Sequence, residues 1–152
     1  MTMGLRQSLD MILGRRPPAM QVGAICVDPA NGKVLLITSR GTGRWIIPKG
    51  WPMSGKSLPG AAAVEAWEEA GVTGRIDPQE MGRYRYDKVR DHGFGTPVEV
   101  RVFRLDVQTL KNNFPERAER ERAWYAPAEA ARLVAEPGLS QILSAMDKGP
   151  RA

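Results

Sequence analysis

The chain has 152 residues, 42% of them hydrophobic and 26% charged, which are the proportions of one globular domain built on one core. No apolar run approaches the roughly 18 residues that span a bilayer, and a single cysteine, Cys26, allows neither an internal disulfide nor a cysteine-based zinc site. Lysine and arginine number 22 against 17 aspartate and glutamate, a net charge of +5 that attracts anions without choosing among nucleic acid, phospholipid and small polyphosphates.

Residues 1–18 mix polar and apolar types and end in Arg15-Arg16-Pro17-Pro18, so they read as an N-terminal arm before a domain over 19–148, with 149–152 as a tail. The arm lacks the uninterrupted apolar segment of a secretory signal, and the cytoplasm is the expected compartment. Gln21 to Asp28 and Lys33 to Ser39 are apolar runs joined by Pro29-Ala30-Asn31-Gly32, which predicts a β-hairpin. A glycine-broken loop over Arg40 to Arg44 leads to Trp45-Ile46-Ile47, a short strand that Pro48 ends. Ser57 to Ala70 predicts a helix, with Ser57 as N-cap, Pro59 near the first turn and Gly71 just past the end. Val72 to Asp77, Gln79 to Tyr86 and Val98 to Val107 read as strands, with Asp87 to Pro97 as a loop. Gln108 to Arg122 is polar and charged. Arg122 to Tyr125 reads as a final short strand, and Pro127 to Ala135 and Leu139 to Lys148 as short helices.

Chemistry concentrates on the first predicted helix. Glu65, Glu68 and Glu69 stand at i, i+3 and i+4, which puts three carboxylates on one helical face with Cβ atoms about 5–6 Å apart. Like charges at this spacing repel, and a hard divalent cation bound through oxygen would turn that repulsion into binding energy. Taken alone, three glutamates on a helix are also what a solvated face looks like.

The surrounding residues decide between these readings. Gly50-Trp51-Pro52-Met53-Ser54-Gly55-Lys56 precedes the helix, and Glu65-Ala66-Trp67-Glu68-Glu69-Ala70-Gly71-Val72 runs along it. This stretch resembles the Nudix hydrolases, whose signature is G-x5-E-x7-R-E-U-x-E-E-x-G-U with U aliphatic. Gly50 to Val72 matches it in length without a gap, and Gly50, Glu65, Ala66, Glu68, Glu69, Gly71 and Val72 fall on prescribed positions. Lys56 stands where the family has its first glutamate and Val64 where it has arginine. The family pair is a structural brace, and replacing both members avoids the unpaired charge that losing one would leave. Trp45 to Gly50, W-I-I-P-K-G, is similar to the entrance of the diadenosine-polyphosphate and diphosphoinositol-polyphosphate hydrolase branch.

The resemblance implies an α/β/α sandwich with a mixed sheet, and hydrolysis of a phosphoanhydride in a small, highly anionic substrate with Mg2+ or Mn2+ present. It implies that Glu65, Glu68 and Glu69 hold the metal, that the Gly50 carbonyl completes the shell, and that one glutamate, assigned here as Glu65, activates water. Arg40, Arg44 and Lys49 flank the loop as candidate phosphate contacts. Trp51 is a candidate for stacking a base or for an interface, whereas Trp45, Trp67 and Trp124 read as core. His92, in a loop with Lys88 and Arg90 that could cover the substrate, is a substrate contact or a catalytic base, or else incidental. Glu116, Glu119 and Glu121 read as a salt-bridged surface, with a further ligand or base among them left open. Diadenosine and diphosphoinositol polyphosphates rank above nucleoside triphosphates. The alternative is a non-catalytic polyphosphate-binding module, suggested by Lys56 and Val64. Neither nucleic acid nor membrane is an expected partner, and a homodimer stays open.

Overall fold

The computed structural model describes residues 17–89 and 95–147. His92, most of the arm and the C-terminal tail lie outside the described residues. The order is β1 (Ala19–Val27), β2 (Val34–Thr38), β3 (Trp45–Ile46), β4 (Lys49–Gly50), α1 (Leu58–Ala70), β5 (Val72–Val89), β6 (Gly95–Leu110), β7 (Arg122–Tyr125), α2 (Pro127–Leu133) and α3 (Pro137–Asp147).

One mixed sheet runs β3-β2-β1-β6-β5, with β4 added to β1 and β7 to β2. The pairing of β1 with β6 is parallel and in continuous register from Ala19 opposite Val98 to Val27 opposite Asp106; the other pairings are antiparallel. Strands whose apolar residues occupy both faces need cover on both sides. Val22, Ala24 and Cys26 of β1 join Leu35, Ile37 and Phe103 under α1, while Ile25, Val27, Leu36, Val98 and Val100 meet Ala130, Leu139 and Leu143 of α2 and α3. The expected α/β/α sandwich is what forms. Among the described residues no helix is long and apolar enough to cross a membrane.

The helix over Leu58–Ala70 forms for the local reasons its sequence supplies. The Ser57 hydroxyl accepts from the Gly60 N–H at 3.1 Å, and Gly71 closes the helix in the left-handed conformation at φ 71°. Its sheet-facing stripe is Ala61, Ala62, Ala66 and Ala70, all fully buried, so small side chains bring the helix close to the strands. Trp67 departs from its core assignment. It is half-buried and belongs to neither apolar cluster, because the alanine stripe occupies the sheet contact. Trp45 and Trp124 do pack against the core.

The strands expected over Val72 to Asp77 and Gln79 to Tyr86 are one 18-residue strand. Irregularities in register between Ile76 and Gly82 absorb Pro78, which has no N–H to give the ladder. The loop expected over Asp87 to Pro97 is shorter as well, since Asp87, Lys88 and Val89 pair with Pro97, Thr96 and Gly95. A Cβ on Gly95 would lie 2.9 Å from that of Asp87, so glycine is a strand residue here by virtue of close approach. The last helix begins two residues before its expected start because Pro137 is at home in a first turn.

Candidate active site

Three segments meet at the edge of α1. The short β4 pairs with the middle of β1, Gly50 opposite Val22 and Lys49 opposite Gly23, and this seats the box loop directly against the helix. A Cβ built on Gly50 would fall 2.6 Å from Glu65 Oε2 and nearer still to the rest of the carboxyl, so only glycine permits this approach. The third segment follows β6: the Glu116 N–H donates to the Glu68 carbonyl at 3.0 Å, and Lys111 N–H to the Gly71 carbonyl at 2.9 Å. Arg122 adds a guanidinium bond to the Ala70 carbonyl at 2.9 Å, satisfying the end of α1.

Together these elements surround a cavity of about 390 Å³ whose lining includes Glu65 and Glu69 with Gly50, Trp51, Lys49, Arg40 and Arg44. Seven of the residues singled out in sequence are thus brought together. Glu68 is half-buried and does not line the cavity. Lys56 is exposed and pairs with no carboxylate among the described residues. A larger groove of about 560 Å³ opens between β5 and α3, but its lining contains no carboxylate.

Glu65 and Glu69 are only 9% and 5% exposed. Burial, the Glu69 charge and a hydrogen bond to Glu69 push the Glu65 carboxyl up to about 8. Burial raises Glu69 too, while Arg120 and Lys49 pull it back toward its ordinary value. The main-chain N–H of Lys49 donates to Glu69 Oε1 at 3.4 Å. Lys49 itself is lowered by burial, and its ammonium sits 5.2 Å from the Tyr86 ring centroid.

Arg120 was hidden in the charge run before Trp124. Its side chain is 6% exposed and places Nη2 3.4 Å from Glu69 and 3.0 Å from Glu116, while Nη1 donates to the Thr38 carbonyl at 2.9 Å. The segment expected as a salt-bridged surface therefore turns one arginine and one glutamate inward. Glu119 stays outside and pairs with Arg40 at 3.3 Å, and Glu121 is tied through its main chain to Thr38. Gln21, Tyr86 and Glu136 also line the cavity without any sequence signal, and Tyr86 donates to Gln21 Oε1 at 2.6 Å. Only long-range pairing brings them here.

Among the described residues no three histidine, cysteine, aspartate or glutamate side chains are gathered as a metal cluster. Two buried carboxylates against a bare glycine backbone nonetheless form an all-oxygen donor set that suits a hard divalent ion. Their raised proton affinity comes first from burial, which penalises the charged form, and for Glu65 also from the neighbouring Glu69 charge.

The chain resembles known proteins over most of its length. It is 31% identical over 115 residues to "Nudix hydrolase 21, chloroplastic" of Arabidopsis thaliana, covering 74% of this chain and 56% of that protein. It is 32% identical over 125 residues to "Diphosphoinositol polyphosphate phosphohydrolase 3-beta" of Homo sapiens, covering 78% and 71%. The plant relatives are about twice its matched length. Its fold superimposes on the solved "NUDIX hydrolase from Nitrosomonas europaea" with a TM-score of 0.68 at 20% identity, covering 89% and 92% of the two chains. The NUDIX domain profile matches residues 17–146, spanning the sheet, the box loop and the glutamate helix, and on that match the chain belongs to the NUDIX domain family.

Proposed function

We propose that this chain is a metal-dependent pyrophosphohydrolase that cleaves a phosphoanhydride in a diadenosine polyphosphate or a diphosphoinositol polyphosphate, using Mg2+ or Mn2+. The observation that carries the proposal is the burial of Glu65 and Glu69 side by side against Gly50, beneath a cavity also lined by basic side chains. Burying two like charges is unfavourable, and a site built this way gains most from a dication. Family members generally use divalent ions, and the name of the human relative, a diphosphoinositol polyphosphate phosphohydrolase, supports a polyphosphorylated substrate.

Glu65, Glu69 and the Gly50 carbonyl would hold the ion, with Glu68 as a further ligand, direct or through water. The ion supplies charge neutralisation at the attacked phosphorus and acidifies water. The chain's own groups do the rest. Arg44 and Lys49 hold the phosphate chain, and Arg40 adds to them once drawn from its surface partners. Glu65, assigned as the base, would accept a proton of the attacking water in its ionised form. Arg120 fixes the orientation of Glu69 and Glu116 from behind.

The test is a panel of phosphoanhydrides assayed with Mg2+ and then Mn2+. Glu69→Gln keeps the size and removes the charge, so turnover should fall by at least about 100-fold. Unchanged turnover in that variant, or in chelator-treated wild type, refutes the proposal. Tight binding without turnover across the panel would identify a non-catalytic polyphosphate-binding module instead.

A further inference from the structure

The charged groups of the cavity are unevenly matched, and two of them, Lys88 and Glu136, have no part in the proposed chemistry. Arg40 is engaged by Glu116 and Glu119, and Arg120 by Glu69 and Glu116. Arg44, Lys49 and Lys88 line the same cavity, and no carboxylate among the described residues lies within ion-pair distance of them. Three free cations suit a short phosphate chain. In the same wall stands Glu136, just before α3, whose Oε2 is shielded from solvent and has no hydrogen-bond partner. Its negative field reaches Lys49, Tyr84 and Tyr86. Trp51 lines the cavity too, 43% exposed, with the Lys88 ammonium 5.1 Å from its ring centroid and no aromatic ring among the described residues stacked on it.

We infer that this cavity selects a nucleoside polyphosphate, seating the base against Trp51, and that Glu136 turns away a ring crowded with phosphates. The inference rests on the proposed hydrolase site and chooses between its two substrate classes. A diphosphoinositol polyphosphate carries phosphate all round its ring, each group bearing between one and two negative charges at neutral pH. Such a ring needs cations on every side, and here the lining also holds the Asp87 and Glu136 carboxylates, the latter with a solvent-shielded, unpartnered oxygen where like charges repel strongly. A nucleoside polyphosphate instead gathers its charge in one chain and ends in a neutral ring. That ring has a π face for Trp51, and its amino group or the ribose hydroxyls supply the donor that Glu136 lacks. Every base offers a π face, so the platform favours nucleosides as a class rather than one base.

The experiment uses the full chain, with diadenosine tetraphosphate and 5-diphosphoinositol pentakisphosphate as substrates under one Mg2+ concentration and inorganic tripolyphosphate as a base-free competitor. Wild type should turn over the dinucleotide with at least about 10-fold higher kcat/KM. Trp51→Ala should raise KM for the dinucleotide about 10-fold at nearly constant kcat, Trp51→Phe should restore most of it, and the inhibition constant of tripolyphosphate should not move. Glu136→Gln should raise kcat/KM for the inositol substrate several-fold and lower that for the dinucleotide, narrowing the preference from both sides. Equal or inverted preference in wild type, or a tripolyphosphate constant that rises with KM in Trp51→Ala, overturns the inference and leaves the hydrolase proposal standing. Failure to cleave either substrate, with tryptophan-fluorescence binding of the dinucleotide that Trp51→Ala weakens about 10-fold, refutes the hydrolase proposal and supports the base seat.

Discussion

Replacing Arg120 by methionine removes a buried guanidinium while keeping much of its bulk. The native side chain contacts Glu69 at 3.4 Å and Glu116 at 3.0 Å and donates to the Thr38 carbonyl at 2.9 Å. Breaking a buried pair from one side costs about 3–5 kcal/mol, because the remaining charge has lost both its partner and its water. Two observations place this case at the lower end. The Glu116 side chain is 20% exposed and can hydrate, and Glu69 keeps the Lys49 charge and main-chain N–H beside it. A loss of about 3 kcal/mol in a domain of this size lowers Tm by about 6–12 °C. Thermal melts followed by circular dichroism in chelator should show that drop, and urea melts should show a lower midpoint at unchanged slope. Adding saturating Mg2+ should recover about half of it, since the dication supplies the missing charge to Glu69. A chelated variant melting within about 2 °C of wild type would show that Arg120 does not balance the carboxylates.

Gly50→Ala should drive its new methyl into the Glu65 carboxyl, so metal affinity measured by calorimetry should fall at least about 10-fold, with about 1–3 kcal/mol lost in stability. Without metal, stability should fall as pH rises from about 4.5 to 8: over that window the unfolded glutamates have lost their protons while Glu65 keeps its own, so the folded state binds more protons and basic conditions favour unfolding. Denaturant midpoints measured in chelator check the sign, and Glu65→Gln should flatten the trend. Arg44→Gln and Lys49→Gln should each raise KM several-fold with kcat nearly intact, more for a longer phosphate chain and less at high salt. Equal penalties at low and high ionic strength would remove them from the phosphate path.

Local chemistry carried most of what could be read in advance. The capped helix, its glutamates and the bare glycine of the box loop are fixed by residues within one stretch from Gly50 to Val72, and Ser57 and Gly71 mark its helix ends without help from the rest of the chain. The first hairpin and the short strand at Arg122–Tyr125 were likewise visible as apolar runs between turn residues. Arg120 was not, because its environment is made by three separate segments: the main chain at Thr38, the helix at Glu69 and its own turn at Glu116. A charge run looks the same whether its residues face water or a cavity. Glu136, Gln21 and Tyr86 escaped for the same reason. The length of β5 was hidden by Pro78, a residue that ordinarily ends a strand but is accommodated here by shifts of register against β6.

The hairpin of β5 and β6 carries part of the cavity wall on its outer end, where Tyr86, Asp87 and Lys88 all line it, Tyr86 and Lys88 two residues apart and therefore on one face of the strand. This imposes a parity rule on length variation. Inserting or deleting two residues in β5 between its register shifts and Tyr86, matched in β6, would slide other side chains into the wall while keeping the inward and outward sides distinct. A change of one residue would send Tyr86 and Lys88 to the outside and turn their neighbours inward. Chains that diverge from this one in substrate while keeping the sheet should therefore differ in this hairpin by even steps, or compensate an odd step with a bulge. A library built on the hairpin should sample lengths in the same way.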